Sequence, residues 1–136
     1  MASGKADDVE EIDARAASDA LLGRFHRVEL ACHHELHPEE PVRSREEAIA
    51  FYRHQPTTHA SCHWLIDGGA ASLYVHGPRA AFLHLLVEPS HRRRGIGTRL
   101  LAAVLGRARE LDVEALRSSY TTTAGAAFAT RFGFVA

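Results

Sequence analysis

The stretch from Ala80 to Leu111 constrains the fold more than any other part of this chain. It reads as an apolar strand, Ala80 to Val87, then a turn rich in arginine and glycine, then a long amphipathic helix opening at Gly95. In the helix, Leu100, Leu101, Val104, Leu105, Ala108 and Leu111 recur on one face, opposite Arg99, Arg107 and Glu110. A strand feeding such a helix through a short turn requires the helix to pack back on a sheet. The chain is therefore of α/β character, of the α+β type.

The rest of the chain supplies the partners. Ser18 reads as the N-cap of a first helix whose apolar positions Leu21, Leu22, Phe25, Val28 and Leu30 run to the stop at Pro38. Ser44 and Glu47 form a capping box ahead of a second, shorter helix with Ala48, Ile49, Phe51 and Tyr52, ended by Pro56. His59 to Ile66 and Ala71 to Val75 are strand-like runs around the turn Asp67-Gly68-Gly69, and Gly77-Pro78 makes the next reversal. An antiparallel meander of three strands follows from this order. Val113 to Tyr120 reads as a further strand, and Ala124 to Phe132 as a last helix stopped at Gly133.

With 136 residues, the chain suits one domain, expected to run from residue 9 to 136 behind a flexible polar terminus of residues 1–8. Its 16 basic and 17 acidic residues nearly balance, which argues against nucleic acid or an anionic membrane surface as partner. Two distant cysteines, Cys32 and Cys62, give no disulfide framework, and a reducing cytoplasm is the expected compartment. No apolar run approaches the roughly 20 residues of a membrane span.

The segment Val87-Glu-Pro-Ser-His-Arg92-Arg93-Arg94-Gly95-Ile96-Gly97-Thr98 has the physics of a phosphate cradle. Gly95 and Gly97 allow a tight turn and close approach of an anion to the main chain. The first turn of the following helix offers N–H groups without intrahelical partners, and the helix dipole adds partial positive charge there. Thr98 adds a hydroxyl, and Arg92, Arg93, Arg94 and Arg99 add charge suited to a ligand with several phosphates. Neither the three-glycine dinucleotide fingerprint nor the lysine-bearing phosphate loop is met. The residues alone leave open an ordinary strand-to-helix turn with solvated arginines, or a small nucleic-acid or membrane patch.

Val87, Pro89, Arg92, Gly95 and Gly97, with Phe132-Gly133-Phe134 near the end, give the chain a resemblance to the GNAT superfamily of acyl-CoA-dependent N-acetyltransferases. The order of elements agrees over nearly the whole chain. The resemblance implies a splayed mixed sheet and acetyl-CoA as cosubstrate. Leu85, Leu86 and Val87 would bind the pantetheine arm through their backbone. Main-chain N–H groups of Arg92, Arg93, Arg94, Gly95, Ile96 and Gly97, together with Thr98, would hold the pyrophosphate, and flanking arginines the 3′-phosphate. It also implies acetyl transfer to a primary amine, of a small molecule or peptide, by direct attack in a ternary complex.

Three departures qualify that picture. The position of a carboxylate base, six residues before Val87, holds Ala81; the usual tyrosine acid falls at Ala129; a frequent asparagine is replaced by Thr122. His84 and Tyr120 are substitute candidates, although strand alternation puts His84 on the face opposite Ala81 and Leu83. The catalytic groups are thus not assigned, and a non-catalytic acyl-CoA-binding or structural domain is the competing reading. Relatives in the superfamily normally continue with two more strands, so the domain is expected to be incomplete at its C-terminal end: a fragment, half of a tandem protein, or a protomer completed by a homodimer partner or second domain at the open edge. Ten histidines are many, and in the cluster Cys32, His33, His34 and His37 the pair His33 and His37, four apart, could reach one metal that His59, Cys62 and His63 would complete; the metalloprotease motif is not met, however, and no metal is expected. Glu29, Glu35, Glu39 and Glu40 mark a surface near the amine entrance that would favour cations.

Overall fold

The computed structural model describes residues 8–55, 61–119 and 123–135. One five-stranded sheet runs in the order β1 (Glu10–Ile12), β2 (Ser61–Ile66), β3 (Gly69–Val75), β4 (Ala80–Val87), β5 (Ala115–Arg117). The first four strands are antiparallel neighbours, and β5 joins β4 in parallel. Helices α1 (Asp19–Leu36) and α2 (Arg45–Arg53) cover one face; α3 (Ile96–Glu110) covers the other, with α4 (Thr123–Arg131) following β5.

The sequence signals act as expected at both early helices. Ser18 accepts the N–H of Leu21, and Ser44 and Glu47 form both bonds of the capping box. Helix α4 closes with Gly133 at φ +84°, the Phe134 N–H bonding Ala129 O and the Gly133 N–H bonding Thr130 O. That paired closure satisfies carbonyls the helix end leaves open.

Alternation along the strands separates two cores. Toward α3 lie Trp64, Ile66, Ala71, Leu73, Ala81 and Leu83 against Leu100, Leu101, Val104 and Ala108. Toward α1 and α2 lie Ile12, Leu65 and Ala70 against Leu22, Phe25, Val28, Ala48, Ile49 and Tyr52. The turn between β2 and β3 has only two residues outside the ladder, since Ile66 pairs with Gly69. Both glycines of this turn serve close packing. A Cβ on Gly68 (φ +82°) would lie 2.3 Å from the His91 ring, and one on Gly69 would lie 2.6 Å from Ile96 Cγ2.

Strand β1 is an addition to the sequence reading, which begins order near Val9 but assigns no strand there. Its three residues alternate too briefly to be seen, and pairing with β2 makes the strand. The expected strand from Val113 to Tyr120 is ladder-paired only over Ala115–Arg117. Tyr120, Thr122, His59 and residues 1–7 lie outside the described residues.

Buried His63 sits at the centre of the α1 and α2 face. Its Nδ1 pairs with Ser72 Oγ at 2.8 Å, its Nε2 has no partner, and Phe25, Tyr52 and Tyr74 meet its ring edge to face. Burial pushes its pKa from the ordinary 6.5 to about 4. The unfolded chain therefore takes up a proton before the folded one does, and stability falls as pH drops below 6.5 and toward 4. The full loss from this group is about 3 kcal/mol, with roughly 2 kcal/mol gone by pH 5. Denaturant unfolding at pH 7 and pH 5 checks this: His63→Leu should lose less stability between the two than the wild type, by about that 2 kcal/mol.

Candidate functional site

The site forms where β5 leaves β4. The first residues of the two strands are tied by the Glu114 and Ala115 N–H groups on Arg79 O, at 2.7 and 3.0 Å, and by the Arg79–Glu114 ion pair. Pairing covers Ala80 to Phe82 and stops. The last link is the Ser118 hydroxyl, which donates to Leu83 O at 2.8 Å. On the other side β4 stays paired with β3 as far as Val87. Residues 83–87 thus form a strand edge with no strand beside it on the β5 side among the described residues, and Leu85, Leu86 and Val87 are each half-buried. An extended polar arm laid in this opening would meet backbone donors and acceptors at ladder spacing.

At the end of β4 the chain passes through a short 3₁₀ turn, Pro89–His91, and reaches α3 with Arg93 at φ +67° and Gly95 at φ +76°. Gly95 is the helix N-cap and supplies no side-chain cap. The N–H groups of Arg93 through Thr98 find no acceptor among the described residues, so the helix start presents open donors. Arg93 and Arg94 are exposed and form none of the ion pairs seen among the described residues. Thr98 is half-buried in the first turn.

Two sequence expectations change here. Arg92 does not point its charge at an open cradle: its guanidinium forms a two-pronged pair with Glu35 of α1, at 2.6 and 2.7 Å, and its Nε donates to Val87 O at 3.3 Å. The guanidinium holds the Glu35 carboxyl below its usual range. Cys32 of α1 donates to the same Val87 carbonyl at 3.4 Å, and burial pushes that thiol up to about 11. Arg92 therefore positions the loop by joining α1 to the end of β4, and its main-chain N–H, expected to face an anion, turns instead to Pro89 O at 3.5 Å to close the 3₁₀ turn. Gly97 also has a different reason to be glycine. A Cβ there would lie 3.0 Å from Phe128 of α4, so the missing side chain admits α4 against α3, whereas Gly95 has open space and needs its left-handed φ.

The position of the expected base, Ala81, is fully buried in the α3-side core, and Ala129 is half-buried on α4. His84 is exposed on the opposite face of β4. The acidic surface is partly spoken for: Glu35 pairs with Arg92, and Glu40 with His37 at 2.8 Å. Rings of His33 and His37 approach to 5.4 Å, yet no three His, Cys, Asp or Glu side chains converge as metal ligands among the described residues. No described helix is long and apolar enough to cross a membrane. What sequence reasoning missed were the clamps, Glu35, Cys32, Ser118 and Phe128, because a contact between distant elements leaves no local pattern.

The acetyltransferase (GNAT) family profile matches residues 22–134. Among solved structures, a tandem GNAT protein from the clavulanic acid biosynthesis pathway is 26% identical, with a TM-score of 0.75; the match covers 93% of this chain and 43% of that one. The chain thus spans less than half of that protein. An acetyltransferase of Trypanosoma brucei, 21% identical, matches over 95% of this chain and 94% of its own with a TM-score of 0.63. An aminoglycoside N-acetyltransferase in complex with CoA, 20% identical, matches over 95% of this chain and 88% of its own at 0.66. These last two likenesses establish shared architecture. A comparison with functionally curated proteins finds no match.

If Gly97 admits α4, Gly97→Ala should lower stability by about 1–2 kcal/mol through overpacking, and Phe128→Leu in the same chain should recover part of it. Thermal unfolding of the two single variants and the double variant measures that coupling.

Proposed function

The chain belongs to the GNAT acetyltransferase family, and from that premise we propose that it is an acetyl-CoA-dependent N-acetyltransferase acting on a primary amine in a ternary complex. The observation that carries this reading is the unpaired edge of β4, residues 83–87, leading directly into the uncapped start of α3. Acetyl-CoA supplies an acetyl group activated as a thioester. In this chain the backbone of Leu85, Leu86 and Val87 would bind and orient its pantetheine arm. The N–H groups of Arg93 through Gly97, with the Thr98 hydroxyl, would hold the pyrophosphate, and Arg93 and Arg94 would attract the remaining phosphate. The residues fit such a ligand on three independent counts: N–H groups of Arg93 through Thr98 without an acceptor among the described residues, a left-handed Gly95 with open space around it, and two exposed arginines.

A fixed opening of this kind contributes by orientation, holding the thioester where an amine can attack and aiming backbone donors at its carbonyl. Nothing in that contribution requires a side chain at position 81 or 129. Small-molecule amines of the aminoglycoside kind are a reasonable first class, being substrates of proteins with this architecture. Completion of the β5 edge by a second domain or a second copy stays part of the proposal, in keeping with the likeness to one half of a tandem protein.

Calorimetric titration with acetyl-CoA, followed by thiol release with sisomicin, spermidine and a lysine-bearing peptide, tests the reading. Binding and thiol release with at least one amine are expected. Binding without release from any amine points instead to an acyl-CoA-binding domain, and no binding removes the proposal. Replacing Arg93 and Arg94 together by Gln should weaken coenzyme A about tenfold at low salt and less at high salt, because exposed charges are screened.

A further inference from the structure

The end of α1 gathers polar side chains that the coenzyme A cradle does not use: His33, His34 and His37, with Glu40 just beyond. His33 and His37 stand one helical turn apart, the spacing that places two side chains on one face. His37 is the C-cap, and its N–H donates to His33 O at 2.8 Å. Standing before Pro38, it leaves the helical region at φ −136° and ψ 65°. The chain then folds back so that the Glu40 N–H donates to His37 O at 3.1 Å, and Glu40 Oε2 meets His37 Nδ1 at 2.8 Å.

Three observations point to a ligand shared by the two imidazoles. Their ring centres are 5.4 Å apart. Two imidazoles on one tetrahedral cation, with metal–nitrogen bonds of about 2.1 Å, hold their ring centres about 5 Å apart. His37 Nδ1 is engaged by the Glu40 carboxylate, so in the neutral ring Nε2 carries the lone pair a metal takes. A carboxylate behind a histidine in this way fixes both its tautomer and its direction. His33 Nε2, finally, is enclosed and has no hydrogen-bond partner among the described residues, a costly state that a bound cation relieves.

We propose that His33 and His37 bind a divalent transition cation of the zinc or copper class, with Glu40 as the residue that orients His37. Imidazole nitrogen favours such cations over Mg²⁺ and Ca²⁺, which take oxygen. The His34 ring is more distant, 6.4 Å from that of His33, and Cys32 turns its thiol to Val87 O at 3.4 Å. No third protein ligand joins the pair among the described residues, so water completes the coordination. The sequence expectation of no metal looked for a fuller ligand set than this site needs. Cation binding requires neither acetyl-CoA nor turnover, so the inference stands apart from the function proposed above.

Calorimetric titration of tag-free protein with Zn²⁺, in a buffer that does not chelate it, tests the proposal. The wild type should bind one Zn²⁺ per chain, and an excess of Mg²⁺ should not displace it. Glu40→Ala should weaken binding about tenfold, and His33→Ala and His37→Ala should each weaken it well beyond that. His76→Ala, at an exposed histidine in another part of the fold, should leave it unchanged. Melting temperatures without zinc check that each variant folds; added zinc should raise that of the wild type and not those of the two ligand variants. In NMR of the wild type, Zn²⁺ should move the Cε1–H resonances of His33 and His37 together and saturate at one equivalent. Absence of saturable binding overturns the proposal. So does binding undiminished in either His33→Ala or His37→Ala, or zinc that moves only other histidines.

Discussion

The structure depends on one asymmetry of β4. On one side it is paired along its length with β3; on the other it is paired for three residues with β5 and then left open. The parallel pair is pinned at its start by Arg79 O and the Arg79–Glu114 ion pair, and at its end by Ser118 on Leu83 O. Beyond that point no strand pairs with it on this side among the described residues, and only the Val87 carbonyl has side-chain partners, Cys32 and Arg92. In a water-soluble sheet unpaired backbone groups are tolerable only if solvent or a ligand meets them. Everything else at the site keeps this opening in register with the start of α3.

Three clamps do so. The β2–β3 turn touches both the loop and the helix, with the Glu88 N–H on Gly68 O and with contacts from Gly68 to His91 and Gly69 to Ile96. Arg92 and Cys32 converge on the Val87 carbonyl, and Glu35 holds Arg92. Phe128 lies over Gly97 and sets α4 against α3. The loop is thereby held by the hairpin turn, the end of α1 and the last helix. This explains why the arginine run divides its work: one residue faces inward to a carboxylate, and the next two face solvent.

Much of this was legible in the sequence, and the limits have physical causes. Caps and stops are local, so Ser18, the Ser44–Glu47 box and Gly133 were readable as signals and act as such. The apolar run of β4 and the periodic face of α3 were equally plain, because each follows from a period within one element. Strand β1 was not, since three residues carry no period and only the partner strand makes them extended. Arg92 and Gly97 stand out in the sequence as parts of an anion loop, and local pattern gives no sign of what holds them. Their decisive contacts, Glu35 and Phe128, stand 57 and 31 positions away along the chain.

The central claim is that the open edge of β4 and the start of α3 form one coenzyme A cradle made chiefly of backbone. Amide-resolved NMR during titration with coenzyme A tests it most directly. The account predicts that the N–H resonances of residues 83–87 and 93–98 shift together with saturation, with β1 and β2 unaffected. Binding that perturbs other surfaces while leaving these two segments unchanged would contradict it.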